Sequence, residues 1–156
     1  DSCLVNCYGP NMDPTNFFQH LWGRIYSLVD DCILWGGNFN WPLSPSRDRA
    51  HVPLAPAWSS TYYLNGLLED GELFDIWRLH YPEAREGTFY SHAHNSWSRL
   101  GYWLFSRDVC GWMGDVRHCP RTLLDHAPVL LQLGVPCGRM RAFRWRLLPS
   151  ALSLLP

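Results

Sequence analysis

The chain contains no lysine, so all thirteen of its basic residues are arginines, and its formal net charge is −1. Proteins that hold nucleic acid mainly by neutralising phosphates are usually clearly basic. The bulk charge therefore does not favour nucleic-acid binding. Four arginines lie close together near the C-terminus, at Arg139, Arg141, Arg144 and Arg146. This cluster is typical of a solvated linker, with a phosphate-contacting patch as the alternative.

Long apolar runs and paired cysteines are also lacking. No segment approaches the roughly 18 consecutive apolar residues of a membrane span, and no signal-peptide pattern is present. The six cysteines include no C-x-x-C pair, and such scattered thiols are typical of intracellular proteins rather than of disulfide scaffolds. Neither His118-Cys119 nor His92-Ala93-His94 has a second ligand pair at zinc spacing. We therefore expect an intracellular protein, nuclear or cytoplasmic, without a membrane partner.

The composition and length of the chain indicate a folded domain. Hydrophobic residues make up 47% of the chain and charged residues 17%, which excludes disorder as the default interpretation. A length of 156 residues fits one domain. The nine tryptophans predict a packed aromatic interior, or a face that meets another molecule. The chain begins with Asp1 rather than methionine, which favours a piece of a longer protein.

Hydrophobic periodicity predicts strands and helices in mixed order, as in an α/β or α+β fold. One helix is expected between an N-cap at Asp13 and its end at Asp30-Asp31. A second is expected at Trp58–Asp70 with Tyr62 turned inward, and a long loop is expected at 41–57. The expected strands are Leu4–Tyr8, Cys32–Trp35, Thr88–Ser91, Leu100–Ser106 and Pro128–Leu133.

Four short stretches follow one another along the chain. They are Leu4-Val5-Asn6-Cys7-Tyr8-Gly9-Pro10-Asn11, Gly37-Asn38-Phe39-Asn40, Ser98-Arg99-Leu100-Gly101-Tyr102 and Asp125-His126-Ala127-Pro128-Val129. Together they resemble the motifs of the endonuclease/exonuclease/phosphatase superfamily, which are Y-x-P-N, G-D-F-N, S-R-I-D-Y and S-D-H before a small residue and proline. Each motif alone is weak, but four in order with sensible spacing are specific.

The connecting pieces are similar to the endonuclease domain of LINE-type (non-LTR) retrotransposons. These pieces are Leu73–Trp77, Tyr81-Pro82, Thr88-Phe89 and Trp145-Arg146-Leu147. The resemblance implies an α/β fold, namely part of a four-layer α/β/β/α sandwich with mixed sheets. It implies that residues 1–134 are the C-terminal part of such a domain, with little of the second sheet. Residues 135–156 would be a linker or tail toward a reverse transcriptase domain in cis.

The resemblance also implies roles for particular residues. Asn38 stands where the family has the Asp that orients or deprotonates the attacking water. Asn40 and His126 match residues that contact the scissile phosphate, and Tyr8 matches one that approaches it. Asp125 would lie on the metal side, as a ligand to Mg²⁺. The principal metal-binding Glu of the family belongs to an N-terminal half that this chain lacks.

Two substitutions predict that this copy does not cut DNA. An amide at Asn38 can position a water but cannot accept its proton. The family's His-orienting Asp is replaced by Gly101, so nothing at that position would orient His126. The implied function is thus a degenerate fragment of a Mg²⁺-dependent DNA-nicking endonuclease, and the alternative is a non-catalytic nucleic-acid-binding module. The residues expected to contact DNA are Asn11, Thr88, Ser98 and Arg99.

Overall fold

The computed structural model describes residues 2–12, 14–26, 32–50, 58–121 and 125–134. The predicted helix cap at Asp13, the helix end at Asp30-Asp31, the C-terminal arginine cluster and the 135–156 tail lie outside these described residues. The elements are β1 (Ser2–Tyr8), α1 (Pro14–Tyr26), β2 (Cys32–Asn38), α2 (Pro45–Asp48), α3 (Trp58–Asp70), β3 (Leu73–Asp75), α4 (Ile76–His80), β4 (Phe89–Ser91), β5 (Ser96–Ser98), β6 (Gly101–Ser106), a 3₁₀-helix (Arg107–Trp112), β7 (Met113–His118) and β8 (Val129–Leu133).

A mixed four-stranded sheet forms the centre, with strand order β1-β2-β6-β3. Strand β1 runs parallel to β2, whereas β6 is antiparallel to both β2 and β3. Strand β2 is buried on both faces, because its run Ile33-Leu34-Trp35 offers an apolar side chain to each. The predicted α/β class with mixed sheets is confirmed.

Helices α1 and α3 cover one face of this sheet. Phe18 on α1 packs against Trp35, with ring centroids 6.2 Å apart, and stacks on Phe39 at 5.6 Å. Trp22 stacks on Trp35 at 6.4 Å. Because these aromatic side chains recur at helical spacing along α1, one stripe of the helix is buried in the sheet. Leu64 of α3 completes this half of the core and is 1% exposed.

The other face of the sheet packs against α4, the 3₁₀-helix and β7. Its buried core residues are Leu34, Ile76, Trp77, Phe105, Val109 and Val116. Strands β7 and β8 form a separate two-stranded antiparallel sheet on this side. On the edge strand β1, Leu4 is 37% exposed and Tyr8 is 69% exposed. Among the described residues, the second layer therefore covers only part of this face.

The structure differs from the sequence expectations in several places. Strands β3, β5 and β7, helix α4 and the 3₁₀-helix were not among the expected elements, and α2 lies inside the predicted 41–57 loop. Tyr62, expected to face inward, is 82% exposed and lies on the solvent side of α3. Within the described ranges, no helix is long and apolar enough to cross a membrane.

Candidate active site

Three of the motif positions lie side by side at one end of the central sheet. Tyr8 at the end of β1 is in register with Asn38 at the end of β2. Asn38 is in turn in register with Gly101 at the start of β6. Residues 93 positions apart in the chain are thus brought into a single row, with Asn38 at its centre.

Backbone hydrogen bonds hold this row together whatever side chains it carries. The Gly9 N–H donates to the Asn38 carbonyl at 2.7 Å, and the Phe39 N–H donates to the Leu100 carbonyl at 2.8 Å. Asn40 follows with a left-handed φ of 59°, a conformation that Asn tolerates better than most residues. Its amide Nδ2 donates to the Gly9 carbonyl at 2.5 Å. The turn after β2 is therefore closed onto the end of β1.

The Asp125-His126 pair is placed beside this row by the start of the β4–β5 hairpin. The Ala127 N–H donates to the Thr88 carbonyl at 2.8 Å, and the Tyr90 N–H donates to the Asp125 carbonyl at 2.8 Å. The imidazole of His126 lies 4.9 Å from the Phe89 ring, centroid to centroid. These bonds bring the fourth sequence motif against the second.

A chain of side-chain hydrogen bonds joins Asn38, His126 and Asp125. The Asn38 Oδ1 accepts from the Asn40 N–H at 3.0 Å, which leaves its Nδ2 facing His126 Nε2 at 3.2 Å. His126 Nδ1 lies 2.9 Å from Asp125 Oδ1. This arrangement assigns the proton of a neutral imidazole to Nδ1, because Nε2 must accept from the Asn38 amide. Half of the Asp125 side chain stays exposed.

Asp125 orients the imidazole, a role that the sequence did not indicate. The hydrogen bond from His126 lowers the pKa of the Asp125 carboxyl, and attraction to His126 lowers it further. The orienting carboxylate thus comes from position 125, whereas position 101 offers no side chain. Asp125, which is also the predicted metal ligand, uses its Oδ1 in the hydrogen bond to the ring.

Gly101 has room for the aspartate of the family motif. A Cβ built on Gly101 would lie 3.4 Å from Thr88 Oγ1 and 3.4 Å from Val129 Cγ2, close to ordinary contact. The Thr88 hydroxyl accepts from the N–H groups of Leu100 and Gly101, each at 2.9 Å. A side chain at this position would therefore require only a small adjustment of its neighbours.

Two of the side chains predicted to contact DNA are buried in the structure. Thr88 and Arg99 are each 1% exposed. Thr88 is used internally as the acceptor described above, and Arg99 is held in a buried ion-pair network. Asn11 is exposed and Ser98 is half-buried, so these two remain accessible to a ligand.

Arg99 lies in a buried network of ion pairs next to the site. The sequence patterns did not predict this network. Arg99 Nε lies 2.8 Å from Asp48 Oδ1, and its Nη2 lies 2.6 Å from Asp75 Oδ2. Arg78 Nη2 also reaches Asp48 Oδ1 at 2.8 Å. Burial lowers the pKa of Arg99, but the combined attraction of Tyr102, Asp75 and Asp48 outweighs burial and raises this pKa above its usual value. The guanidinium therefore stays charged and is not available to a phosphate.

The described residues contain one candidate carboxylate for a magnesium ion, that of Asp125. Within the described part of the chain, no group of three or more His, Cys, Asp or Glu side chains is placed to hold a metal ion. Mg²⁺ at phosphoryl-transfer sites is usually bound by one or two carboxylates together with waters and substrate phosphates. Asp125 could supply one carboxylate at most, and it is hydrogen-bonded to His126.

The fold of the chain is shared with a class of known structures. No family model matches the chain, but its mixed α/β fold is that of AP endonucleases and exonuclease/phosphatase-like proteins. An AP endonuclease from Archaeoglobus fulgidus superposes with a TM-score of 0.69 at 19% identity. The match covers 85% of this chain and 61% of that one.

Two Neisseria structures have the same fold. The 3′-5′ exonuclease from Neisseria meningitidis gives a TM-score of 0.64 at 19% identity, over 83% of this chain and 60% of that one. A Neisseria 3′ phosphatase bound to a product DNA hairpin gives 0.61 at 19% identity, with the same two coverages of 83% and 60%. The chain therefore spans less than two thirds of the length of the structures that it matches.

Proposed function

We propose that this chain is the C-terminal part of a Mg²⁺-dependent, DNA-nicking phosphodiesterase domain of a LINE-type retrotransposon, and that this copy has lost catalysis. The observation that carries the proposal is the Asn38–His126–Asp125 hydrogen-bond chain, set in one row with Tyr8 and Gly101. The order of the four motifs supports it, and so does the fold shared with nucleases. Residues 1–134 would belong to this domain and 135–156 to a linker toward a reverse transcriptase in cis.

The loss of catalysis follows from the chemistry of the two substituted positions. Hydrolysis of a phosphodiester needs a group that accepts a proton from the attacking water. The Asn38 amide cannot do so, and its Nδ2 occupies the side of His126 on which a carboxylate would accept a hydrogen bond. Loss of a general base typically slows a reaction by about 10²–10⁴-fold.

Mg²⁺ and DNA enter the proposal as expectations for the parent domain. When bound, the metal would neutralise charge on the phosphate, and Asp125 is the described residue best placed to contribute to its site. DNA as the partner is supported by the accessible Asn11 and Ser98 beside the row. Tyr8 lies at the end of β1 and is 69% exposed, so a DNA strand that approaches the site can reach it.

A non-catalytic nucleic-acid-binding module is the second candidate. The Arg121 guanidinium lies over the rings of Tyr90 at 4.8 Å and Trp97 at 5.3 Å. Trp97 is 38% exposed. A partly exposed aromatic pair with an arginine is a surface on which unpaired bases stack. This function would need neither a proton acceptor nor a metal.

Plasmid nicking tests both candidates. Supercoiled plasmid is incubated with Mg²⁺ and either the chain or its Asn38→Asp/Gly101→Asp variant, which we call the repaired variant. The same reactions with EDTA are the control for metal dependence. The matched control is Asn6→Asp/Gly111→Asp, which adds the same charges at an exposed strand position and at a glycine with open space around it. We expect nicking at least about a hundredfold faster in the repaired variant than in the chain itself.

Each outcome separates the candidates. EDTA-sensitive nicking by the unaltered chain would refute the loss of catalysis. Nicking by the repaired variant alone would support an intact scaffold silenced at two positions. If no variant cuts but DNA binds with a steep dependence on salt, the binding module is favoured. If no variant cuts DNA or binds it at low salt, the binding module fails, and the dominant defect in catalysis lies outside positions 38 and 101.

A further inference from the structure

A cavity of about 540 Å³ lies between the loop after α2, the base of the β4–β5 hairpin and the end of β7. We call it the arginine-lined cavity, because its walls include Arg47, Arg49, Arg85 and Arg121. Its volume falls in the range of sites for small molecules. Ala127, which directly follows His126, forms part of the wall, so the cavity adjoins the candidate active site without sharing its side chains.

The charge of this cavity is positive although the chain as a whole carries −1. Two acidic residues also line it, Asp48 and Glu86. Asp48 is already neutralised by Arg78 and Arg99, which do not line the cavity. Arg47 is likewise paired with Glu83, 3.4 Å away and outside the cavity lining. Glu86 is thus the remaining lining carboxylate, set against the guanidiniums of Arg49, Arg85 and Arg121. Arginine forks match the geometry of phosphate oxygens and can bind them in pairs.

The wall also contains a buried polar ring that lacks a partner. The His118 side chain is 5% exposed and stacks on Trp77, with ring centroids 3.7 Å apart. Among the described residues, neither of its ring nitrogens has a hydrogen-bond partner, and neither does Arg49 Nε. The nearest carboxylate oxygen, on Glu86, is 3.7 Å from His118 Nδ1, too far for a hydrogen bond. Buried polar groups in native proteins are almost always satisfied, which points to a ligand with acceptor oxygens.

Burial of His118 favours its neutral form. Burial, followed by repulsion from Arg99 and Arg78, lowers the pKa of His118 to about 4. A neutral imidazole still carries one N–H donor, so it can hydrogen-bond an oxygen of an anion without adding charge. The cavity therefore offers charged donors at its walls and a neutral donor in its buried part.

We propose that the arginine-lined cavity binds a phosphate group, either free phosphate or the phosphate of a nucleotide. The proposal does not depend on whether the candidate active site is catalytic, because it rests on a different set of side chains. Trp97 in the wall is a ring on which a base could stack, which would favour the nucleotide as the source.

Calorimetric titration of the full chain with inorganic phosphate, and separately with thymidine 5′-monophosphate, tests the proposal. The cavity variant is Arg49→Gln/Arg121→Gln. The matched control is Arg107→Gln/Arg117→Gln, which removes the same charge from two exposed arginines outside the cavity. A third variant, His118→Phe, keeps a ring to stack on Trp77 and removes both nitrogens. Thermal unfolding at pH 7 shows whether each variant is folded.

We expect saturable binding at one site, weakened about tenfold or more in the cavity variant and in His118→Phe, and unchanged in the control. Equal binding of the two probes identifies phosphate alone as the ligand, whereas tighter binding of the nucleotide identifies a nucleotide site. Absence of saturable binding to both probes would overturn the proposal. Equal weakening in the cavity and control variants would overturn it too, because it would show a response to net charge only.

Discussion

The buried His118 predicts a loss of stability in mild acid that can be worked out in advance. Its pKa is lowered from 6.5 to about 4 in the folded chain, first by burial and then by Arg99 and Arg78. Between these two values the unfolded chain binds more protons than the folded chain. The contribution of His118 to stability is therefore complete above pH 6.5 and is lost as the pH falls toward 4. Glu86, 3.7 Å away but 63% exposed, is too well solvated to reverse this direction.

The size of this effect follows from proton linkage. Each pKa unit corresponds to about 1.4 kcal/mol, which gives a loss of about 2 kcal/mol between pH 7 and pH 5. The ring faces a cavity that opens to solvent, so screening lowers the expected loss to about 1–2 kcal/mol. Against a usual total of about 5–15 kcal/mol, such a change is easily measured.

Urea unfolding at pH 7 and pH 5 provides the assay for His118. We expect the free energy of unfolding of the chain to fall by the stated amount more than that of His118→Phe, which stacks on Trp77 but does not titrate. The difference between the two proteins isolates His118 from the other groups that titrate in this range. Equal falls in both proteins would refute the assignment of a buried, neutral imidazole.

Two further predictions concern the scaffold around the site. Asp48→Asn removes the charge that compensates Arg99 and Arg78, and we expect the free energy of unfolding in urea to fall by about 3 kcal/mol. Glu72→Gln breaks the exposed pair with Arg107 and should cost less than about 1 kcal/mol, so similar losses for both variants would contradict the burial argument. Gly37→Ala should cost at least about 2 kcal/mol in thermal unfolding, because φ is 145° and its Cβ would lie 2.0 Å from the Cys7 carbonyl oxygen. Gly66→Ala on α3, where the Cβ has open space, should instead be neutral or stabilising by up to about 1 kcal/mol, and a loss there as large as at Gly37 would speak against the steric argument.

Much of the fold could be predicted because periodicity is a local property. The bounds of α3 follow directly from the apolar spacing in Trp58–Asp70, and β1 and β2 follow from their apolar runs. Strand β5 has only three residues, Ser96–Ser98, and exists because it pairs with β4 in a hairpin. Strand β7 has an irregular register between Met113 and Val116, which removes the alternation that periodicity detects.

The order of the motifs predicts which residues come together at the site. It does not predict which hydrogen bonds and ion pairs their side chains form. The order of the motifs led us to expect Asn38 and His126 together, and their side chains lie 3.2 Å apart. The roles of Asp125 and Arg99 depend on tertiary contacts that no local pattern contains. The partner of Arg99, Asp48, lies 51 residues away in a segment that was expected to be a loop.

The substituted positions are separable from the scaffold that presents them. The strand ends are joined by main-chain hydrogen bonds, from Gly9 to Asn38 and from Phe39 to Leu100, which any side chain at position 38 would leave in place. A carboxylate at 38 would face His126 Nε2 while Asp125 still accepts from Nδ1, so both ring nitrogens would face acceptor oxygens. The repaired variant should therefore differ from the chain in charge and proton placement rather than in backbone. Any activity that it gains would consequently measure the chemistry that aspartates add at positions 38 and 101, and not refolding around them.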